Sequence, residues 1–186
     1  MRLETERLVL RPLEEKDLPD LVANVNNLNV SKRLAVVPFP YTLKDAEWYL
    51  NHCLEKAKDA RPKGMELVIE FKPEGKVIGA VGLSSIDYEI KSCSFGYWLG
   101  EKYWRQGIMS EALLKVMDFA FNELKLNRME AGVFAENPAS AMLLRKLGFK
   151  EEGFKRQAIG CKATGKVHDE FIFAMLKEDF LKAGKA

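Results

Sequence analysis

Residues 97–124 read YWLGEKYWRQGIMSEALLKVMDFAFNEL, and their interpretation decides the fold. The stretch begins as the end of an apolar strand and passes through a short polar turn holding Arg105, Gln106 and Gly107. It then opens into an amphipathic helix, in which Ile108, Leu113, Met117, Ala120, Phe121 and Leu124 recur at three- and four-residue spacing. A turn that enters a helix N-terminus is suited to an anion, because the first backbone N–H groups lack intrahelical partners and the positive end of the helix dipole points the same way. Gly107 lets the backbone approach a bulky anion closely. The expectation is that this turn holds the pyrophosphate of a coenzyme.

On the N-terminal side, residues 92–99 (SCSFGYWL) read as a central strand, and residues 66–71 (ELVIEF) and 76–83 (KVIGAVGL) as a hairpin closed by KPEG. Gly79 and Gly82 interrupt the second hairpin strand, which predicts close approach by another backbone. Residues 7–12 form a first strand and 14–28 a helix burying Leu18, Leu21, Val22 and Val25. A long loop broken by a short helix covers 26–40. A helix from Thr42 to about Lys58 starts at TLKD, a near capping box. On the C-terminal side, 127–134 is a strand. Asn137 is a natural N-cap, Pro138 a preferred first helical residue and Gly148 a helix stop. Residues 150–159 and 168–176 close the fold as two strands around GCKATG. The order β-α-α-β-β-β-α-β-α-β-β describes a mixed α/β fold in one domain spanning residues 1–186.

Composition narrows the function. The 186 residues are 47% hydrophobic and 30% charged, with a formal net charge of +2, and the basic residues are scattered, so no nucleic-acid partner is expected. Three cysteines without paired spacing and only two histidines indicate neither a disulfide framework nor a metal centre. The opening MRLETERLVL is not a signal peptide and no apolar run reaches spanning length, so a cytoplasmic protein with no membrane partner is expected.

The element order, the glycine turn and the Asn-x-x-Ser ahead of Leu-Gly-Phe resemble the GNAT superfamily of acetyl-CoA-dependent N-acetyltransferases. YWLGEKYWRQGIMSEA, NPASAMLLRKLGF, the opening TERLVLRPLEEKDLPDL and the closing HDEFIFAML are similar to its Rim-type branch, which acetylates N-terminal alanines of ribosomal proteins. The resemblance covers nearly the whole chain. It implies a mostly antiparallel sheet with a splayed parallel strand pair and helices on both faces, acetyl-CoA as co-substrate, no metal, and an amine acceptor. The family's pyrophosphate loop has the form Gln/Arg-x-x-Gly-x-Gly/Ala. Gly107 matches its central glycine, whereas Trp104 and Met109 depart from it at the two ends. The implied phosphate contacts are the backbone of Arg105, Gln106, Gly107, Ile108, Met109 and Ser110. The strand 92–99 would splay from its neighbour at a bulge, so that the backbone of Tyr97, Trp98 and Leu99 pairs with the pantetheine arm, while the Tyr97 and Trp98 side chains merely line the core or groove.

Asn137 would cap its helix and also face the pantetheine. Many family members carry a tyrosine seven residues after this Asn as the acid for the leaving thiolate; here Leu144 stands there. Ser140 is the candidate to take over that role. Asp87, Glu101, Asp169 and a water chain are the candidates for the base. Cys161, in a polar loop, has no activating neighbour in sequence. His52 and Cys53 do not share a helix face, and His168 faces the opposite side of a strand from Asp169. An acyl-cysteine route therefore ranks behind direct attack. The expected acceptor is a protein N-terminal α-amine. The alternatives are a small amine (a polyamine or aminoglycoside) or a non-catalytic acyl-CoA sensor, and a homodimer is an open possibility.

Overall fold

The structure, a computed structural model, describes residues 1–183; residues 184–186 of the expected 1–186 domain lie outside the described residues. The strands are β1 (Leu3–Glu4), β2 (Leu8–Arg11), β3 (Met65–Phe71), β4 (Lys76–Asp87), β5 (Ser92–Leu99), β6 (Arg128–Phe134), β7 (Lys150–Cys161) and β8 (Lys166–Leu176). They form one sheet in the order β1-β2-β3-β4-β5-β6-β8-β7. The helices are α1 (Leu18–Val25), α2 (Leu28–Ser31), α3 (Leu43–Lys56), α4 (Ile108–Asp118), α5 (Pro138–Lys146) and α6 (Lys177–Ala183).

Two apolar cores follow from the period-2 alternation of the central strands. On one face Phe95, Met129, Ala131 and Val133 pack with Met109, Leu113 and Met117 of α4 and Leu144 of α5. On the other, Val68, Val77 and Trp98 pack with Leu18, Leu21 and Val25 of α1 and Ala46 of α3. The predicted capping box forms: Thr42 N–H and Oγ1 donate to Asp45, whose own N–H returns to Thr42 Oγ1. A buried guanidinium locks the start of α1 to the sheet. Arg11 donates to both oxygens of Asp17 at 2.7 and 2.9 Å and to Glu70 at 2.7 Å.

Three sequence expectations need correction. The short β1 and α6 were not foreseen, since two strand residues or seven helical ones at a chain end give too few periods to read. Gly79 does meet backbone, because a Cβ there would strike the Trp98 carbonyl oxygen; Gly82 instead accommodates the Glu66 carboxylate. The splay is present without a bulge at its mouth. β5 and β6 pair in parallel only where Ser92, Cys93 and Ser94 meet Arg128, Met129 and Glu130. Beyond that point β5 continues in regular register with β4 as far as Leu99, and β6 stays with β8 as far as Phe134. The irregularity in β4–β5 lies at the far end, between Ser84 and Asp87. Each central strand follows its antiparallel partner, and the two parallel strands part.

Candidate active site

The turn before α4 is built as an amide cradle. Arg105 and Gly107 adopt left-handed backbone conformations (φ 60° and 74°), and Gly107 is the N-cap with no side chain closing the helix end. Intrahelical bonding begins with the Glu111 N–H donating to Gly107 C=O at 3.1 Å, so the N–H groups of the first turn point outward at the dipole's positive end. A second set of contacts holds the turn from behind. The Glu111 carboxylate accepts from Thr5 Oγ1 (2.5 Å), Arg7 N (3.0 Å) and Arg7 Nε (2.7 Å), and Arg7 Nη1 donates to Gln106 C=O at 3.1 Å. Burial alone would raise the Glu111 pKa; these donors outweigh it and hold the carboxyl below its usual range.

The turn opens onto a cavity of about 650 Å³ running into the splay. Tyr97, Trp98, Leu99, Arg105, Gly107, Ile108, Met109, Ser110, Asn137 and Ser140 all line it. Gln106 does not: its carbonyl is taken by Arg7 and its side chain donates to Lys102 C=O at 2.9 Å. The Leu99 carbonyl is likewise engaged, by the Trp104 indole N–H at 2.7 Å, so the free backbone of β5 ends before it.

Two hydroxyls meet across the cavity. Asn137 Oδ1 accepts the Ser140 N–H at 3.3 Å, fixing the first turn of α5, and Ser140 Oγ lies 2.7 Å from Tyr97 Oη. Burial pushes the Tyr97 hydroxyl up to about 12, with the Ser140 bond acting weakly the other way, so it stays protonated. Leu144 is fully buried in the core. A tyrosine hydroxyl does reach this cavity, but from Tyr97 on β5, a side chain expected from the sequence only to line the core or groove. Nothing local in the sequence marks a contact made between strand and helix 43 positions apart.

None of the carboxylates nominated as base lines the cavity. Asp87 accepts the N–H groups of Glu89 and Ile90, Glu101 the side-chain amides of Asn27 and Asn29, and Asp169 the Gln157 N–H at 2.7 Å. Asp87 secures a turn, Glu101 the start of α2, and Asp169 the irregular stretch of β7 between Lys155 and Ile159. Cys161 is also not in the polar loop expected: it is buried at the end of β7, with Sγ 3.6 Å from the Lys32 carbonyl. Lys162 N–H donates to Ala35 C=O at 3.0 Å, docking the β7–β8 tip on the loop after α2. Burial raises Cys93 to about 12 and Cys53 to about 11, so both are poor nucleophiles. Among the described residues there is no group of three potential metal ligands, and no helix is long and apolar enough to cross a membrane.

A mostly apolar cavity with an amide cradle at one end and a hydroxyl pair along it fits a long acyl-thioester coenzyme with a charged linker. The model of the acetyltransferase (GNAT) domain matches residues 7–150. The chain belongs to the GNAT acetyltransferases. Among its GNAT relatives is the "uncharacterized N-acetyltransferase p20" of Bacillus licheniformis, 33% identical over 178 residues, 96% of this chain and 97% of that protein. The ribosomal protein uS5-alanine N-acetyltransferase of Escherichia coli is 24% identical over 194 residues, 97% of this chain and 93% of its own. The spermidine N-acetyltransferase of Vibrio cholerae, solved with CoA and spermine, superposes with a TM-score of 0.79 over 95% of this chain and 99% of its own, at 24% identity. The GNAT fold expected from the sequence is the fold found, and the activity of the chain is N-acetyl transfer from acetyl-CoA.

Proposed function

We propose that this GNAT enzyme acetylates a protein or peptide N-terminal α-amine by direct attack of the amine on the thioester. The observation that carries this reading is the charge of the cavity: it is lined by Arg33 and Arg105 and by no Asp, Glu or His. A polyamine with several ammonium groups needs several carboxylates around it, whereas a peptide presents one amine and a neutral backbone. The activity for which the uS5-alanine relative is named supports the same choice.

In this reading the backbone N–H groups of Gly107, Ile108, Met109 and Ser110 hold the pyrophosphate, and the Tyr97 backbone, which faces the splay while that of Trp98 is turned to β4, holds the pantetheine arm. The acetyl thioester supplies the acyl group. Ser140, oriented through its backbone by Asn137 and hydrogen-bonded to Tyr97, delivers a proton to the departing thiolate sulfur; the Tyr97 hydroxyl stabilises Ser140 as it does so. Bringing amine and thioester together makes the attack effectively unimolecular. A thiol-release assay with acetyl-CoA against N-terminal peptides, polyamines and aminoglycosides tests the acceptor. Turnover is expected with peptides beginning in alanine or serine; turnover confined to polyamines or aminoglycosides would refute the peptide reading.

A further inference from the structure

We propose that Glu170, on β8, takes the proton from the acceptor amine. This rests on the acetyl-transfer reading above and names a residue for the one step that reading leaves without a group.

The argument begins with strand parity. Gly82 of β4 pairs with Gly96 of β5, and the β5–β6 register that matches Ser94 with Glu130 carries forward to Gly96 and Gly132 on the two banks of the splay. These glycines form a row on the sheet face opposite α4 and α5, the face to which Trp98 also turns. Gly96 and Gly132 both line the cavity. A Cβ on Gly96 would meet nothing within 4 Å, so the row is open at the splay. A Cβ on Gly132 would land in the Glu170 carboxylate. Glu170 pairs with Phe134 across β6–β8, and its neighbour but one, His168, stacks on Phe134 at 4.8 Å. Glu170 therefore shares the face of two cavity-lining residues, Gly132 and Phe134, while Asp169 next to it turns to the other side; its carboxylate lies against Gly132 just behind the cavity wall, without lining the cavity itself.

The carboxylate is held for this task rather than spent on structure. Its side chain is 13% exposed, and its charged neighbour among the described residues is Lys155, with Nζ at 3.9 Å. The other carboxylate on the row, Glu66, lies over Gly82 one strand further from the splay, and it already accepts the Tyr49 hydroxyl at 3.1 Å. The hydroxyl pair Tyr97–Ser140 approaches the splay from the α5 face. Glu170 approaches from the opposite face, so donor and acceptor of protons flank the gap.

The step balances as follows. The nitrogen lone pair forms the new N–C bond at the carbonyl carbon, and the C–S bond breaks with its electron pair on sulfur. The sulfur takes a proton from Ser140. The proton lost by nitrogen goes to Glu170 through one water, since the carboxylate sits behind Gly132, and exchange with solvent restores both groups.

The test is steady-state thiol release with acetyl-CoA and the best acceptor of the amine panel, alongside calorimetric acetyl-CoA binding and thermal unfolding. Glu170→Gln is expected to lower kcat by about 10²-fold, the low end for a lost general base, with the acetyl-CoA Kd and the acceptor KM little changed. Gly132→Ala displaces only the far end of a flexible side chain. It should lower kcat in the wild-type background and nothing further in Glu170→Gln. The assignment is overturned if Glu170→Gln keeps wild-type kcat, if the loss appears in Glu66→Gln instead, or if the Gly132→Ala loss is additive with that of Glu170→Gln. A wild-type enzyme that binds acetyl-CoA yet releases no thiol with any amine would overturn the acetyl-transfer reading itself, and the role of Glu170 with it.

Discussion

Tyr97 Oη and Ser140 Oγ lie 2.7 Å apart, joining the splayed end of β5 to the first turn of α5. Leu144, buried in the core, places no group in the cavity, whereas this pair sets two hydroxyls there. If Ser140 is the proton donor, Ser140→Ala should lower kcat by about 10²-fold, within the range for general acid catalysis, while acetyl-CoA binding persists. Tyr97→Phe keeps the ring in place and removes only the supporting hydroxyl, so its loss should be smaller. Thiol-release kinetics with parallel calorimetry check both, and a Ser140→Ala enzyme with full turnover would rule out the assignment.

Gly107 should be sensitive to the smallest side chain. At φ 74° an L-residue is strained, by roughly 1–2 kcal/mol. A Cβ there would be 3.7 Å from its nearest neighbour, Arg7 Nη2, so crowding adds little. Gly107→Ala should weaken acetyl-CoA binding by re-aiming the amides, with a modest fall in melting temperature, and calorimetry measures the first effect directly. An unchanged Kd would place the diphosphate elsewhere.

The cradle's rear support predicts a remote effect. Glu111→Ala removes the acceptor of three bonds from Thr5 and Arg7 and frees the arm that holds Gln106 C=O. The KM for acetyl-CoA should rise several-fold, with kcat at saturation nearly retained, since no reacting atom is touched. A fall in kcat alone would contradict this role.

Arg11 and Asp17 are both buried, so breaking the pair leaves an uncompensated charge. Arg11→Ala should destabilise the fold by about 3–5 kcal/mol in chemical denaturation. Burial by itself would raise the Asp17 pKa. The bonds from Arg11 and the Glu14 N–H reverse that and set it below the ordinary carboxylate value. A carboxyl depressed on folding stabilises fully above its unfolded pKa of about 3.9, and that contribution fades as pH falls through the folded value. Wild-type stability should therefore decline below about pH 4, and Asp17→Asn should flatten that part of the decline.

The thiols should be bystanders. With Cys93 and Cys161 buried and Cys53 pushed up to about 11, iodoacetamide at neutral pH should leave turnover intact over times that alkylate an exposed thiol fully. Rapid loss of activity with one-to-one labelling would revive a covalent route.

Legible along the chain were the order of the elements other than β1 and α6, the glycine-capped entry to α4, the Asn137 cap and the capping box at Thr42, because these depend on periodicity and on residues within one turn of each other. The sequence also carried the family, since those local signals recur in a fixed order. Tertiary structure alone decided which side chains meet. Tyr97 reaches Ser140 over 43 positions, Arg7 reaches Glu111 over 104, and the expected bases Asp87, Glu101 and Asp169 are held by a turn, the start of α2 and an irregular stretch of β7. Strand parity placed Glu170, not Asp169, on the open face, yet parity becomes a location only once the register of β6, β8 and the splay is known. Local hydrogen bonding and burial period are written along the chain; contacts between elements depend on how the sheet pairs and where it parts.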